Sequence, residues 1–311
     1  AGQGGAEMKA MYISAAIAAL GLTSTAAWAE PANYSSPEAA TEAFAAALDA
    51  HDKAALLTIF GPESEDLLAS GDPERDAEAR HEFLVGYRQY HALSDVSDGK
   101  KELVIGRELW PFPVLLVSGE AGWHFDPDGA RDEILARRIG LNELDVIDVL
   151  HRAAAVQTRF RSFDYDGDGV MEYASAILSA PGMRDGLYWP HEDGKPDSPL
   201  GPEIAKAAAE GYSEDGTLQE PQPYLGYYFR ILTKQGDAAP GGAYDYMVNG
   251  NMVAGYGVLA YPADPGNTGV MSFMVGENGV VYEADLGDAT LETAGAIDAF
   301  NPGEGWSKVQ E

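Results

Sequence analysis

Helical spacing of apolar residues dominates the chain between residues 35 and 90. Ser35-Ser36-Pro37-Glu38 combines a serine cap, a proline at the first helical position and an acid in the first turn, which together predict a helix start. The residues that then fall on one apolar face are Ala40, Phe44, Ala47 and Leu48. A second helix is predicted over residues 52–60, ended by Gly61-Pro62, and a third over residues 76–90.

After residue 100 the spacing changes to the period of two that is typical of strands. Residues 101–106 and 114–117 are predicted strands, and the glycines over residues 119–122 predict a turn into the strand Trp123-His124-Phe125. Helices followed by antiparallel strands predict an α+β domain. From residue 34 to about residue 128 this order resembles the nuclear transport factor 2-like cone, in which a curved antiparallel sheet wraps around helices. In that superfamily the cone holds a ligand, houses catalytic acid–base residues or mediates contacts, and these alternatives stay open.

A second domain is predicted to start with a long helix. Residues 130–139 form an amphipathic connector, Gly140 is suited to end it, and Asn142 is suited to cap a new helix that runs to about Phe160. The buried face of this new helix is predicted to contain Leu144, Ile147, Leu150, Ala154 and Val156. We therefore place the domain boundary near Gly140, with domains over residues 30–140 and 141–311.

Short strands rich in glycine and tyrosine fill the second domain. Residues 226–232 form one strand, and Asn249-Gly250 and Asn278-Gly279 are strong signals for two-residue hairpin turns. A long helix, an acidic loop and an antiparallel meander, over about residues 142–287, resemble the globular domain of bacterial pilins and pseudopilins. The residues before Asn142 lack the apolar half of a pilin helix, so the resemblance does not imply polymerisation in the pilin manner.

Five stretches rich in aromatic residues are spread along the chain. They are Trp110-Pro111-Phe112-Pro113, Gly186-Leu187-Tyr188-Trp189-Pro190, Gly226-Tyr227-Tyr228-Phe229-Arg230, Tyr261-Pro262 and Gly269-Val270-Met271-Ser272-Phe273. Together they resemble the secreted bacterial proteins that are grouped as domain-of-unknown-function family 2950, and the resemblance extends over nearly the whole chain after residue 30. It implies export and no particular activity, because that family is defined by sequence and export.

Charge and cysteine content narrow the range of functions. The net charge of −30 at pH 7 disfavours nucleic acid and anionic membranes as partners and favours divalent cations and basic molecules. The chain contains no cysteine, which excludes disulfides, thiolate catalysis and cysteine–zinc sites. The hydrophobic fraction of 45% is ample for folded cores.

The first 29 residues have the layout of an upstream extension and a signal peptide. Met8-Lys9 begins a short positive region, residues 13–22 are mostly apolar, and Ala27-Trp28-Ala29 has the small–x–small form of a cleavage site. Cleavage after Ala29 predicts a periplasmic or secreted protein. The later sequence offers no apolar run long enough to span a membrane.

Four carboxylates lie within nine residues after the long helix and predict a structural calcium site. The predicted ligands are the side chains of Asp164, Asp166, Asp168 and Glu172 and the carbonyl of Val170. The twelfth position of an EF-hand loop is Ser175 in place of a bidentate glutamate, so we expect weak binding, with Kd about 10⁻⁴–10⁻³ M. The alternative is a solvated Asp-Gly turn that holds no ion.

Histidine and aromatic residues supply the remaining candidates. The six histidines form no zinc motif, and His124, on the predicted strand, is the best candidate for acid–base chemistry, although a structural role is the alternative. The residues expected to form a binding surface for a glycan or a peptide are Tyr188, Trp189, Tyr227, Tyr228 and His124. The alternative for the aromatic residues is packing in the core.

These observations favour an exported, non-enzymatic binding or assembly module of the cell envelope that carries a structural calcium ion. Its partner would be an envelope protein or a glycan, with no nucleic acid involved. A periplasmic hydrolase that uses His124 with a carboxylate is one alternative, and small-ligand carriage in the N-terminal cone is another. The sequence contains no catalytic motif, so we assign no catalytic residue.

Overall fold

The computed structural model describes residues 30–68, 73–194, 196–211 and 219–310. The predicted signal peptide, over residues 1–29, lies outside the described residues. Helices combine with mainly antiparallel sheets, which confirms the predicted α+β class. The chain divides into two compact units, of which the first ends at Arg138 and the second begins at Ile139.

Three helices open the first unit, and side-chain caps start the first two. The hydroxyl of Ser36 accepts a hydrogen bond from the amide of Ala39 at 3.2 Å, as expected for a helix cap. Asp52 caps the second helix through the amide of Ala55 at 3.0 Å, and Gly61 follows its last residue, as predicted. The helices are α1 (Pro37–Asp49), α2 (Lys53–Phe60) and α3 (Pro73–Gln89).

An antiparallel sheet of five strands follows these helices. Its strands are β1 (His91–Ser97), β2 (Lys100–Ile105), β3 (Trp110–Pro111), β4 (Leu115–Gly119) and β5 (Gly122–Asp126). The spatial order is β1-β2-β4-β5, and β3 pairs with β2 as well. The sequence analysis did not predict β1, which reaches β2 through the two-residue turn Asp98-Gly99. Gly99 has a φ of +70° in this turn, a conformation that glycine adopts easily.

Phenylalanine rings fill the space between the helices and the sheet of the first unit. Phe44 is fully buried, and the centre of its ring lies 5.0 to 5.6 Å from the centres of four other rings. These four rings belong to Phe60, Phe83, Phe112 and Phe125. The centre of this layer is therefore a packed aromatic core.

One continuous helix, α4 (Arg131–Phe160), contains the predicted connector, the cap and the second helix. This corrects the prediction that a helix ends at Gly140 and another begins at Asn142. A glycine inside a helix costs about 1 kcal/mol relative to alanine, which is too little to break a helix of this length. The side chain of Asn142 is buried and donates to the carbonyl of Thr268 at 2.9 Å, so it does not act as a cap. None of the described helices, α4 included, combines the length and the apolar character that crossing a bilayer requires.

The second unit is built on an antiparallel sheet of five strands, with shorter strands around it. The strands of this unit are β6 (Ala176–Leu178), β7 (Gly186–Tyr188), β8 (Tyr227–Leu232), β9 (Lys234–Gln235), β10 (Tyr244–Asp245), β11 (Met247–Val248), β12 (Asn251–Met252), β13 (Gly257–Pro262), β14 (Met271–Gly276), β15 (Val281–Asp285) and β16 (Ser307–Lys308). The spatial order in the five-stranded sheet is β16-β15-β14-β13-β8. Two short helices, α5 (Pro202–Lys206) and α6 (Thr290–Ala296), complete it. Asn249-Gly250 forms the predicted two-residue turn between β11 and β12. Asn278-Gly279 also lies in a hairpin, between β14 and β15, but the prediction of a two-residue turn is wrong there because the connection is four residues long, residues 277–280.

Apolar clusters cover this sheet on both faces. On one face Tyr227 and Phe229 of β8 join residues of α4, such as Leu150, in a large core. On the other face Leu232 and Phe300 belong to a smaller core that includes residues of α6. Alternate residues of one strand therefore pack into different cores, as the pleat of a strand requires.

Candidate functional sites

The acidic loop follows α4 directly, and the carboxylate of Asp164 organises it. One oxygen of Asp164 accepts a hydrogen bond from the amide of Gly167 at 2.7 Å, and the other accepts from the amide of Gly169 at 3.0 Å. Both glycines have positive φ values, +81° and +88°, which residues with a side chain rarely adopt. The chain therefore curls around Asp164, which brings the two following aspartates to the same side.

Three exposed carboxylates converge in this loop. Asp164, Asp166 and Asp168 each offer an oxygen, and these three oxygens lie within 4.8 Å of one another. Oxygens that share one calcium ion at 2.3–2.6 Å lie at most about 5 Å apart, so the three are close enough to bind a single ion. Within the described part of the chain, no other group of three or more acidic or histidine residues meets this spacing.

Glu172 and Val170, which were also predicted as ligands, have other contacts in the structure. The carboxylate of Glu172 accepts a hydrogen bond from the amide of Met252 at 2.8 Å, which fixes it to β12 and leaves it outside the converging group. The amide of Val170 donates to Asp168 at 2.7 Å, and this contact does not test the predicted ligand atom, the carbonyl of Val170, whose role stays a prediction. The structure therefore brings the three aspartates together and gives Glu172 a backbone partner 80 residues away, and the role of all four as ligands stays a prediction.

Hydrogen bonds fasten the loop to the hairpin β11–β12. Asp168 accepts a hydrogen bond from the side chain of Asn251 at 2.5 Å, and the amide of Tyr173 donates to the carbonyl of Met252 at 2.8 Å. On the other side, the buried side chain of Gln157 in α4 pairs with the backbone of Ala174 in both directions, with two distances of 2.9 Å. The loop is thus held between a helix and a hairpin. Nothing in the sequence marked Gln157 for this role.

Local electrostatics differ between the two ends of the loop. Desolvation opposes the ionisation of Asp164, yet the amides of Gly167 and Gly169 outweigh it and hold the pKa of Asp164 below its ordinary value. At Glu172 partial burial is the main cause that raises the pKa, and the charges of Asp166 and Asp168 add to it. Asp164 therefore stays ionised at neutral pH, which is the state that binds a cation.

Apolar side chains are exposed on both sides of the acidic residues. Phe163 precedes the loop and Met171 lies near its end, and both side chains are 52% exposed. Val248 is exposed on the hairpin to which the loop is fastened. We call Phe163, Met171 and Val248 the loop rim. Exposed apolar side chains around a polar centre are a common feature of interaction sites.

The structure does not gather the five residues that were predicted as a binding surface. Tyr227 and Trp189 are buried at 0% and 4% exposure and belong to one core, where the indole of Trp189 donates to the carbonyl of Pro196. Tyr228 packs on the opposite face of the sheet, beside Tyr261, and Tyr188 is half-buried. This corrects the predicted surface in favour of core packing. His124, the fifth residue, belongs to the first unit.

His124 is one of the residues that line an open cleft in the first unit, and it does not belong to the aromatic core. The cleft has a volume of about 550 Å³ and is lined by His124 together with acidic residues such as Glu63, Glu120 and Asp126. The Nδ1 atom of His124 is buried and has no hydrogen-bond partner in the structure. A buried nitrogen without a partner costs about 1–3 kcal/mol, which makes this ring unusual in a packed protein.

Comparisons with known proteins give one result. A family model described as "Protein of unknown function (DUF2950)" matches residues 32–309, which is most of the chain. None of the curated proteins and none of the solved structures matches this chain. The match therefore assigns the chain to a family, but the description of that family names no activity.

Proposed function

This chain belongs to the DUF2950 family, whose description names no activity, and we propose that it is an exported, non-enzymatic binding module of the bacterial cell envelope. In this proposal the acidic loop holds a structural calcium ion, and the loop rim contacts a partner protein or glycan. The proposal includes the nuclear transport factor 2-like and pilin-like interpretations of the two units. The single observation that carries it is the convergence of three carboxylate oxygens within 4.8 Å.

Charge repulsion supports a cation in the loop. Three carboxylates at this spacing repel one another, and a cation at their centre would replace the repulsion by attraction. A backbone amide already holds the side chain of each aspartate in place, and these amides belong to Gly167, Asp168 and Val170. Ion binding would therefore cost little further side-chain freedom. Calcium suits the exposed oxygen ligands better than magnesium, which demands a stricter geometry and keeps its water.

The position of the loop links the ion to a binding surface. Glu172 and Asp168 fasten the loop to Met252 and Asn251, the two residues of β12, so an ion bound to Asp168 would stiffen the loop and the hairpin together. Phe163 and Met171 flank this stiffened segment and stay exposed. An ordered apolar surface loses less conformational entropy when a partner binds, so calcium would increase the affinity for the partner.

Small-ligand carriage inside the first unit has little support, because the phenylalanine rings around Phe44 occupy the centre of that unit. The hydrolase alternative needs a carboxylate within hydrogen-bond distance of His124, and the nitrogen Nδ1 has no such partner. Both observations favour the binding module over the two alternatives.

Calorimetric titration with calcium chloride tests the cation site. We expect one site per chain with Kd about 10⁻⁴–10⁻³ M, and a loss of affinity of about tenfold or more in Asp166→Asn. The asparagine side chain of this variant can still accept the hydrogen bond that Asp166 accepts from the amide of Asp168, so the change removes charge and keeps the turn. Asp237→Asn, an exposed aspartate elsewhere in the second unit, is the matched control and should bind as the wild type does. A wild-type protein without a saturable site, or equal affinity in both variants, would contradict the proposal.

Terbium luminescence locates the ion. Terbium replaces calcium in oxygen sites and is excited by a nearby tyrosine, and Tyr165 lies between the first two aspartates of the loop. We expect green emission that disappears when calcium displaces the terbium ion and that is absent in Tyr165→Phe.

Partner binding is tested by capture from the native envelope with the wild type and with Phe163→Ser. Capture that requires both calcium and Phe163 would support the loop rim as the contact surface.

A further inference from the structure

Two asparagines of the chain, Asn249 and Asn278, are followed directly by glycine, and both pairs lie in hairpin connections of the second unit. Asparagine is among the chemically labile residues of proteins. A glycine that follows it has no side chain to shield its backbone nitrogen, which can attack the side-chain carbon Cγ of the asparagine. Both connections therefore contain the two reacting groups, but the structure holds these groups differently in each.

Hydrogen bonds hold both reacting groups in the connection between β14 and β15. The side-chain oxygen of Asn278 accepts a hydrogen bond from the amide of Val280 at 3.0 Å. The amide of Gly279, which would be the attacking group, donates to the carbonyl of Gly276 at 2.9 Å. The two strands are joined by five residue pairs, which oppose any opening of this connection.

The turn between β11 and β12 leaves the same two groups free. Asn249 and Gly250 are both exposed. Within the described part of the chain, neither the side chain of Asn249 nor the amide of Gly250 forms a hydrogen bond. A Cβ added to Gly250 would meet no other atom within 4 Å, so the space beside the attacking residue is open.

Opening of the turn controls the rate of the attack. In a two-residue hairpin the pairing of the strands fixes the backbone angles of the turn, so the turn has to open before the nitrogen of Gly250 reaches Cγ of Asn249. Only two residue pairs keep this turn closed, and Val248, in the pair beside the turn, is 46% exposed. A short, exposed hairpin opens at a lower free-energy cost than strands that belong to a core. Asn249 is therefore the more reactive of the two asparagines.

We propose that Asn249 is a modification site, at which the asparagine converts slowly and without an enzyme to aspartate and isoaspartate. The backbone nitrogen of Gly250 forms a bond to Cγ of Asn249 and gives up its proton, and the side-chain nitrogen leaves with that proton as ammonia. The product is a five-membered succinimide ring. Water then adds to one of the two ring carbonyl carbons, breaks the bond from that carbon to the ring nitrogen and returns a proton to the nitrogen. One carbonyl gives aspartate, and the other gives isoaspartate, in which the main chain runs through the former side chain.

The conversion changes the hairpin that fastens the acidic loop. Isoaspartate adds one carbon to the main chain of the turn, and the length of a turn fixes the register of its hairpin. The pairing of Val248 with Asn251 is then lost. Asn251 donates to Asp168, and the amide of Met252 donates to Glu172 at 2.8 Å, so both bonds depend on the position of β12. We therefore expect isoaspartate at residue 249 to release the loop from β12.

Peptide mapping by mass spectrometry tests the site of the reaction, in the full chain after several weeks at neutral pH. Asn278 is the control within the same molecule. We expect conversion at Asn249 to be at least about tenfold faster than at Asn278, since about 1.4 kcal/mol in the cost of opening changes the reactive population tenfold. In urea-unfolded protein the two rates should become similar, because both asparagines precede glycine. Equal rates in the folded protein, or an intact Asn249 in folded protein while the unfolded chain reacts, would overturn the proposal.

Amide hydrogen exchange tests the release of the loop, which does not rest on the calcium site. In chains that contain isoaspartate, the amide of Met252 should exchange at least about tenfold faster than in fresh protein, because it loses its acceptor Glu172. The control is Asn249→Gly, which cannot form the ring and adopts the φ of +55° without strain. After the same incubation this variant should keep the slow exchange of fresh protein. Unchanged exchange of Met252 in isoaspartate chains, or an equal increase in the incubated control, would overturn the release of the loop.

Discussion

Replacing Gln157 by leucine should destabilise the second unit and loosen the acidic loop. The side chain of Gln157 is fully buried, and its amide group pairs with both the N–H and the C=O of Ala174 at 2.9 Å. Ala174 is fully buried too, so its backbone N–H and C=O cannot form hydrogen bonds with water when the glutamine is removed. The side chain of Gln157 thus bonds to the backbone of Ala174 as a neighbouring strand would, and it connects α4 to the residues after the loop.

The magnitude follows from the two lost hydrogen bonds. Each buried backbone group without a partner costs about 1–3 kcal/mol, and leucine recovers part of this through its apolar surface. A net loss of about 2–4 kcal/mol in the free energy of unfolding is therefore expected. For a unit of this size, 1 kcal/mol lowers Tm by about 2–4 °C, so Tm should fall by about 4–16 °C.

Urea unfolding followed by circular dichroism measures the effect. Thr158→Ala is the matched control, because Thr158 is the next residue of the helix and its exposed hydroxyl bonds only to the helix backbone, at Ala154. The control should change the free energy of unfolding by less than about 0.5 kcal/mol. Equal stability of Gln157→Leu and the control would refute the reasoning that this glutamine holds the segment after the loop.

Two further predictions concern the cores. Phe44→Ala should lower the free energy of unfolding by about 3–5 kcal/mol, because the ring is fully buried among four others. Phe163→Ala removes a half-exposed ring and should change the free energy of unfolding by less than about 1 kcal/mol in the same urea titration. Burial raises the pKa of Tyr227, Tyr246 and Tyr256 above that of tyrosine in an unfolded chain. As the pH rises through about 10, these tyrosines lose their protons in the unfolded state but keep them in the folded state. Each of them should therefore reduce the free energy of unfolding by about 1.4 kcal/mol between pH 7 and pH 11. Unfolding at pH 7 and pH 11 checks this, and a Tyr256→Phe protein that loses as much stability as the wild type would contradict it.

Local signals predicted the elements whose causes are local. Ser36 and Asp52 start helices because the cap and the capped amide are three residues apart, and Asn249-Gly250 makes a hairpin because its turn needs two positive φ values. Strand β1 was missed although its turn, Asp98-Gly99, belongs to the same class of signal. Its exposed residues follow no clear alternation, and this lack of pattern hid the strand.

Contacts between distant residues explain the predictions that were wrong. Asn142 looked like a helix cap, but it bonds to Thr268, and the neighbouring Glu143 accepts hydrogen bonds from the amides of Val270 and Met271. Those partners lie more than 120 residues away, so no local pattern reveals them. Glu172 likewise has a distant partner, the amide of Met252 in β12, which its local spacing does not reveal. The convergence of the three aspartates depends only on the loop itself, so the sequence could indicate it, and their role as calcium ligands stays a prediction.

The melting temperature of the protein in calcium and in chelator tests the central claim most directly. At about 10 mM calcium and Kd about 10⁻⁴–10⁻³ M, binding to the folded state adds about 1.4–2.7 kcal/mol. The wild type should therefore melt about 3–11 °C higher in calcium than in EGTA. Asp166→Asn, which binds calcium about tenfold more weakly, should gain only about 0.4–1.4 kcal/mol and melt about 1–6 °C higher. Equal melting temperatures of the wild type in calcium and EGTA, or an equal rise in Asp166→Asn, would contradict a calcium ion held by the acidic loop.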